Sequence, residues 1–212
     1  MLTVRSSRLC DNDSVVAVEC LGETEKTKED GRLHKIVYYL LPEEYAALQL
    51  QPGPADERLE AELKRLDEHC RALRQARRLL GYSSNTAAGL VTKLRTRGYS
   101  REAAELAART VLADGEVDET KDAIRLAELC VRKGRGKLRV APELRQKGYS
   151  DEAVRKALES LDGLDFGEIC AGVIRKKWKT FPKEPDARKK AVGTLARLGF
   201  TGSDIREALK RL

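Results

Sequence analysis

The apolar positions of this chain follow two different periods. Before residue 41 they gather in short β-branched runs, Val15-Val16-Ala17-Val18-Glu19-Cys20 and Leu33-His34-Lys35-Ile36-Val37-Tyr38-Tyr39-Leu40-Leu41. Such runs fit a pleated, half-buried surface and predict two strands. The charged, turn-forming stretch 22–31 predicts a long hairpin loop between them, and residues 2–4 read as an additional early strand. Residues 42–48 predict a short helix with Pro at its first position and acids in its first turn. Gln51-Pro52-Gly53-Pro54 breaks the pattern and reads as a linker.

From about residue 55 the period becomes helical. Leu59, Leu63, Leu66, Cys70, Leu73 and Leu80 keep a 4-3-4-3 spacing that lapses only at Arg77, so a long helix over 55–80 is expected, ending at Gly81-Tyr82. A motif then recurs. Leu94-Arg95-Thr96-Arg97-Gly98-Tyr99-Ser100, Leu144-Arg145-Gln146-Lys147-Gly148-Tyr149-Ser150 and Leu195-Ala196-Arg197-Leu198-Gly199-Phe200-Thr201 lie 50 and 51 residues apart. Each predicts a helix that ends at a left-handed Gly, a corner holding an aromatic residue, and a hydroxyl that caps the next helix. The register continues past the corner. Ala104, Val154 and Ile205 stand four residues after the hydroxyl, Ala107, Ala157 and Ala208 seven after, Ala108, Leu158 and Leu209 eight after, and Val111, Leu161 and Leu212 eleven after. Leu90, Val140 and Ala191 stand ten before it.

The expected architecture is mainly α: three tandem three-helix repeats of about 50 residues in an elongated, curved array, behind a small N-terminal β-hairpin segment. The expected boundaries are 1–54, 55–115, 116–162 and 163–212. The first repeat should continue from a helix capped by Ser83 or Ser84. In the second, helices are expected over 118–133, then to 147 after a break at residues 134–136, then from Ser150 to 161. In the third they are expected over 164–179, 188–198 and 203–212, with Pro182 and Pro185 in a connection. Tyr82, Tyr99, Tyr149 and Phe200 read as core plugs at the corners, and Trp178 as packing between repeats. Pro142 requires the middle helix of the second repeat either to start near Ala141 or to kink.

Composition supports thin helical layers, with 5% aromatic and 35% charged residues. No apolar run approaches the roughly 20 residues of a membrane span, and the N-terminus has no signal core, so a cytoplasmic protein is expected. Cys10, Cys20, Cys70, Cys130 and Cys170 form no CxxC pair, which points to free thiols rather than zinc or disulfides. His34 and His69 leave a Cys–His nucleophile pair open without pointing to one. Charge is more telling. Residues 1–70 hold 9 Lys and Arg against 15 Asp and Glu, a net of −6, while residues 71–212 hold 32 against 19, a net of +13. The C-terminal part is suited to an acidic protein surface or to nucleic acid, or its cations simply solvate helix faces.

The densest basic run is Arg132, Lys133, Arg135, Lys137, Arg139, Arg145 and Lys147, opposed only by Glu143. These residues are the candidate partner- or DNA-binding site, with Gly134 and Gly136 letting the backbone approach a partner. Arg145 and Lys147 recur as Arg95 and Arg97, so they belong equally to the repeat itself. Arg175, Lys176, Lys177 and Lys179 around Trp178 form a secondary basic patch. There is no phosphate-binding glycine loop, no HExxH and no nucleophile elbow. The glycine corners allow a second reading as helix-turn-helix units of a standalone duplex-DNA regulator. Against it, no helix has the Asn, Gln and Arg mixture that reads base edges.

Val131-Arg132-Lys133-Gly134 followed by Glu143-Leu144-Arg145-Gln146-Lys147-Gly148-Tyr149 resembles the signature of the RecX regulatory protein family. The layout of a small β segment before three three-helix repeats is also similar, and the resemblance covers about residues 70–212. It implies a bacterial regulator that is not an enzyme and needs no cofactor. Such a protein binds a RecA-type recombinase, lodges along the groove of its filament on single-stranded DNA, and restrains strand exchange and ATP hydrolysis. A monomer with weak, salt-sensitive nucleic-acid binding is expected. Two departures stand out: Pro142 sits where the family continues a helix, and Asp118-Glu119 replaces an aspartate pair.

Overall fold

The structure is a computed structural model that describes residues 2–10, 14–23 and 33–212. The long loop expected over 22–31 therefore lies, apart from its first two residues, outside the described residues. The chain forms two compact units, one of residues up to 85 with 90–116, the other of 86–89 with 117–212.

Unit 1 opens with β1 (Leu2–Cys10), β2 (Val15–Gly22) and β3 (His34–Leu40), then α1 (Pro42–Leu48) and β4 (Gly53–Ala55). The sheet order is β3-β2-β1-β4, antiparallel throughout. The predicted pairing of the two apolar runs holds, with Val16 opposite Leu40 and Val18 opposite Tyr38. Two readings change. β1 runs to Cys10 rather than ending near residue 4, because its second half pairs with β2 through the backbone while its side chains stay exposed. The segment read as a linker is the edge strand β4, with Val4 opposite Gly53 and Leu2 opposite Ala55. Pro54 is tolerated there because an edge strand leaves one row of backbone groups unpaired.

α2 (Glu57–Tyr82) follows, capped by Asp56, whose carboxylate accepts from the Leu59 N–H at 2.7 Å. Leu63 and Leu66 of α2 share one core with Val4, Val18, Cys20 and Leu40 of the sheet. α2 also packs against α4 (Arg101–Ala113). α3 (Ala87–Thr96) is capped by Thr86, whose hydroxyl accepts from the Gly89 N–H at 3.1 Å, and not by Ser83 or Ser84; Ser83 closes the end of α2.

Unit 2 holds α5 (Glu119–Arg132), α6 (Lys137–Gln146), α7 (Asp151–Glu159), α8 (Phe166–Lys177), α9 (Pro185–Arg197) and α10 (Gly202–Lys210). First and third helices pair in every repeat: α2 with α4, α5 with α7, α8 with α10. The corners have the expected conformation. φ is +92° at Gly98, +82° at Gly148 and +96° at Gly199. The next N–H, of Tyr99, Tyr149 or Phe200, reaches back to the carbonyl of Leu94, Leu144 or Leu195, at 3.3 Å in each case. That back-bond and the glycine's own bond to the turn close a Schellman motif. Ser100, Ser150 and Thr201 each accept from a backbone N–H three residues on.

The aligned apolar positions are buried or half-buried with one exception, Leu212, which is exposed at the chain's last residue. Tyr82 is not a core plug, at 78% exposure, whereas Phe200 is buried and Tyr99 and Tyr149 are half-buried. Trp178 meets Phe181 edge-on at 5.7 Å and packs against the core of unit 2. α8 begins at Phe166, two residues later than expected, because Asp165 supplies the cap. Pro185 is the first residue of α9, a position whose N–H would have had no partner, rather than part of the connection. α6 starts at Lys137, so Pro142 stands inside it and the start near Ala141 does not occur.

Within unit 2 the corner glycines meet the turns that open other helices. Gly148 faces Thr86 and Ala88, and the Thr86 hydroxyl donates to the Lys147 carbonyl at 3.1 Å. Gly199 meets residues 136–139 more tightly, since the Gly136 N–H bonds the Leu198 carbonyl at 2.8 Å and the Leu138 N–H bonds the Gly199 carbonyl at 3.1 Å.

Candidate partner-binding site

The basic run of the second repeat divides according to its surroundings. α5 ends in a second set of Schellman bonds. The Gly134 N–H reaches the Val131 carbonyl at 2.8 Å, the Arg135 N–H reaches the Cys130 carbonyl at 3.0 Å, and Gly134 has a φ of +76°. The close approach expected of Gly136 is made inside the molecule: a Cβ there would lie 2.2 Å from the Gly199 carbonyl.

With the loop held in that way, α5 and α8 flank a groove of 530 Å³. Val131, Ile169, Val173 and Leu198 line it, and all four are half-buried. Arg132, Lys133, Lys176 and Lys177 complete the lining, so the groove joins members of the two basic patches that are separate in sequence. Among the described residues, Arg132 has one ion-pair partner, Glu128 of its own helix, at 3.2 Å. Lys177 lies 5.8 Å from the Trp178 ring centre. Lys133 and Lys176 have no ion-pair partner among the described residues.

Five of the other candidates are engaged within the protein. Arg135 and Arg139 converge on Glu143, at 3.4 and 3.2 Å, and the Cys130 thiol donates to the same carboxylate at 3.2 Å. Burial pushes the Glu143 carboxyl upward, but the hydrogen bonds from Cys130 and Arg139 and the charges of Arg135 and Arg139 outweigh it and hold the group below its ordinary range. Lys137 pairs with Asp162, Arg145 with Asp151 at 3.2 Å, and Arg175 with Glu168. Lys147 lies apart from the groove, and Lys179 lines a different hollow with Trp178 and Phe181.

Two features escaped sequence reasoning. One is the convergence of Arg135 and Arg139 on Glu143, which was legible only as the single charge opposing the seven cations. The other is in unit 1, where Arg71, Arg74 and Arg78 line a hollow with Gln75 and Tyr99; their spacing of three and four residues on α2 was the available signal. Arg71 is held there by Asp67 at 2.8 Å and by the Tyr39 ring at 5.6 Å.

The neighbouring His69 and Cys70 make no nucleophile pair. His69 is buried with its Nδ1 2.6 Å from Glu44, and burial pushes the Cys70 thiol up to about 11. Among the described residues, no cluster of three or more His, Cys, Asp or Glu side chains is placed to hold a metal ion, and no helix is long and apolar enough to cross a membrane.

Comparison with known proteins adds what geometry cannot. No family model matches the chain. The regulatory protein RecX of Chlorobaculum tepidum is 34% identical over 145 residues, which cover 66% of this chain and 86% of that protein. The chain belongs to the RecX family. A second RecX, from Stenotrophomonas maltophilia, is 34% identical over 122 residues, covering 57% of this chain and 74% of its own. A crystal structure of regulatory protein RecX superposes with a TM-score of 0.72 at 17% identity, covering 99% of this chain and all of the other (100%), and so shares the fold. The helical repeats and the small sheet are thus those of the RecX fold, and the residues that first showed the resemblance, 131–134 and 143–149, lie at the end of α5 and in the second half of α6 with its corner.

Proposed function

We propose that this RecX-family protein binds a RecA-type recombinase and its filament on single-stranded DNA, and restrains the filament's ATP hydrolysis and strand exchange. Membership of the RecX family carries the reading. The surplus of cations in residues 71–212 supports it, because a filament of protein and DNA offers both carboxylates and phosphates. Arg132, Lys133, Lys176 and Lys177 are the members of the two basic patches gathered around one groove. Arg135, Lys137 and Arg139 serve by shaping the same surface, and their exposed ion pairs, worth roughly 1 kcal/mol or less each, are weak enough to be exchanged for a partner's acids.

The deciding measurement is single-stranded-DNA-dependent ATP hydrolysis by a RecA-type protein titrated with this chain. Hydrolysis should fall at substoichiometric amounts of the regulator. Undiminished hydrolysis, together with tight binding to one defined duplex, would replace this reading with a standalone DNA-binding regulator.

A further inference from the structure

We infer that the groove between α5 and α8 is a docking site for a short acidic peptide segment, with an apolar side chain seated on Val131, Ile169, Val173 and Leu198 and flanking carboxylates on Lys133 and Lys176. The inference rests on the regulator reading only in taking the partner to be a protein.

The lining sets the chemistry. Four aliphatic side chains, none fully buried, floor a recess of 530 Å³. Such a recess suits an apolar side chain, which would leave water there. Among the described residues, every charged group lining it is a cation and none is a carboxylate. Helix ends account for only part of that charge. α5 and α8 both end at the groove, and two C-terminal dipoles of about half a charge each are balanced by roughly one cation. α6, α9 and α10 each carry one basic residue in their last turn, whereas α8 alone carries three. The surplus faces solvent: among the described residues, Lys133 and Lys176 have no ion pair, and Arg132 has only an exposed one.

The same lining disfavours nucleic acid. Bases bind by stacking on aromatic rings or guanidinium planes; among the described residues no aromatic lines this groove, and its one guanidinium, that of Arg132, is paired with Glu128. Trp178 and Phe181 line a separate hollow. The groove is also preformed. Gly134 sits against Val173, where a Cβ would come within 2.8 Å of its methyl group, and the following loop is bonded to the end of α9. A rigid, recessed site loses little freedom on binding.

The probe is a short fluorescein-labelled peptide of Asp and Glu around a central Leu-Phe pair, titrated with the full chain and followed by anisotropy. A peptide with Ser-Ser at the centre should bind at least about tenfold more weakly, because the apolar anchor is lost. The double variant Lys133→Glu/Lys176→Glu should also lose at least about tenfold in affinity with unchanged circular dichroism. Lys121→Glu, at the opposite end of α5, should bind the peptide as before. Equal binding of the two peptides, or tighter binding of labelled oligothymidylate through Lys133 and Lys176, overturns the proposal in favour of a plain phosphate-binding surface. Unchanged affinity in the double variant overturns it outright. Either failure can occur while the chain still restrains ATP hydrolysis, so the two readings fall separately.

Discussion

Glycine does two different jobs in this chain, and substitution separates them. At Gly98 the backbone has a φ of +92° with open space where a Cβ would stand. Gly98→Ala therefore meets only the left-handed strain of an L-residue, about 1 kcal/mol. At Gly136 the backbone is ordinary, with a φ of −77°, but a Cβ would lie 2.2 Å from the Gly199 carbonyl and 2.4 Å from the Phe200 nitrogen. Neither neighbour is a side chain that can swing away. Gly136→Ala should therefore cost clearly more, roughly 3 kcal/mol or above, and urea midpoints of the two variants should rank in that order. The cysteines divide as sharply. Burial pushes the Cys70, Cys130 and Cys170 thiols up to about 11, and Cys20 is buried with its thiol also raised, whereas Cys10 is half-exposed on β1. Thiolate is the reactive form, so about one molecule in a thousand of such a buried thiol is competent at pH 8. Ellman's reagent should find one fast thiol in the native protein, and all five cysteines only after denaturation.

The elements show why some of the structure was legible and some was not. The corners at Gly98, Gly148 and Gly199 are local devices. Leu, Gly, an aromatic residue and a hydroxyl within seven positions specify the Schellman turn and the next cap without reference to the rest of the fold. Strand β4 is the opposite case. Gln51-Pro52-Gly53-Pro54 has every local mark of a breaker, and only pairing with Leu2 and Val4 makes its end a strand. The groove is hidden for the same reason, since Lys133 and Lys176 come to line it only through tertiary packing, such as that of Gly134 against Val173. Pro142 is a conflict between the two levels. It stands in α6 between Val140 and Leu144, both fully buried, so packing holds the helix where local preference would break it. Its missing N–H leaves the turn at Leu138 one hydrogen bond short, and the ring crowds that carbonyl. Pro142→Ala should restore the bond. Its gain of up to about 3 kcal/mol is reduced by the roughly 1 kcal/mol of freedom returned to the unfolded chain. A rise in melting temperature of about 2–4 °C per kcal/mol gained is expected by circular dichroism. An unchanged or lower value would mean that the proline is unstrained there.

At the scale of the molecule the opposite charges of the two ends invite a truncation that leaves only the basic repeats. The fold argues against taking that result at face value. Residues 1–54 hold most of the sheet, and the sheet is what covers Leu63 and Leu66 of α2, both buried in a core shared with Val18 and Leu40. The same segment supplies Glu44, the hydrogen-bond partner of buried His69, and the Tyr39 N–H that meets Asp67 at 2.8 Å. A chain starting at residue 55 would open α2 to water along the first half of its apolar stripe and leave His69 buried beside nothing that answers it. Exposure of one such leucine removes on the order of 2 kcal/mol of burial, and the lost carboxylate adds an unsatisfied buried polar group. The truncated chain should therefore bind a hydrophobic dye that the full chain excludes, and its helical circular dichroism should fall short of that expected for α2–α10. If instead it keeps full helicity and binds no dye, the sheet is dispensable to unit 1, and loss of regulation on truncation becomes evidence for a contact made by residues 1–54. If dye binding appears, that loss reports unfolding of α2. The role of the acidic end is then better tested by reversing exposed charges such as Glu43 and Glu57, which leave the shared core in place.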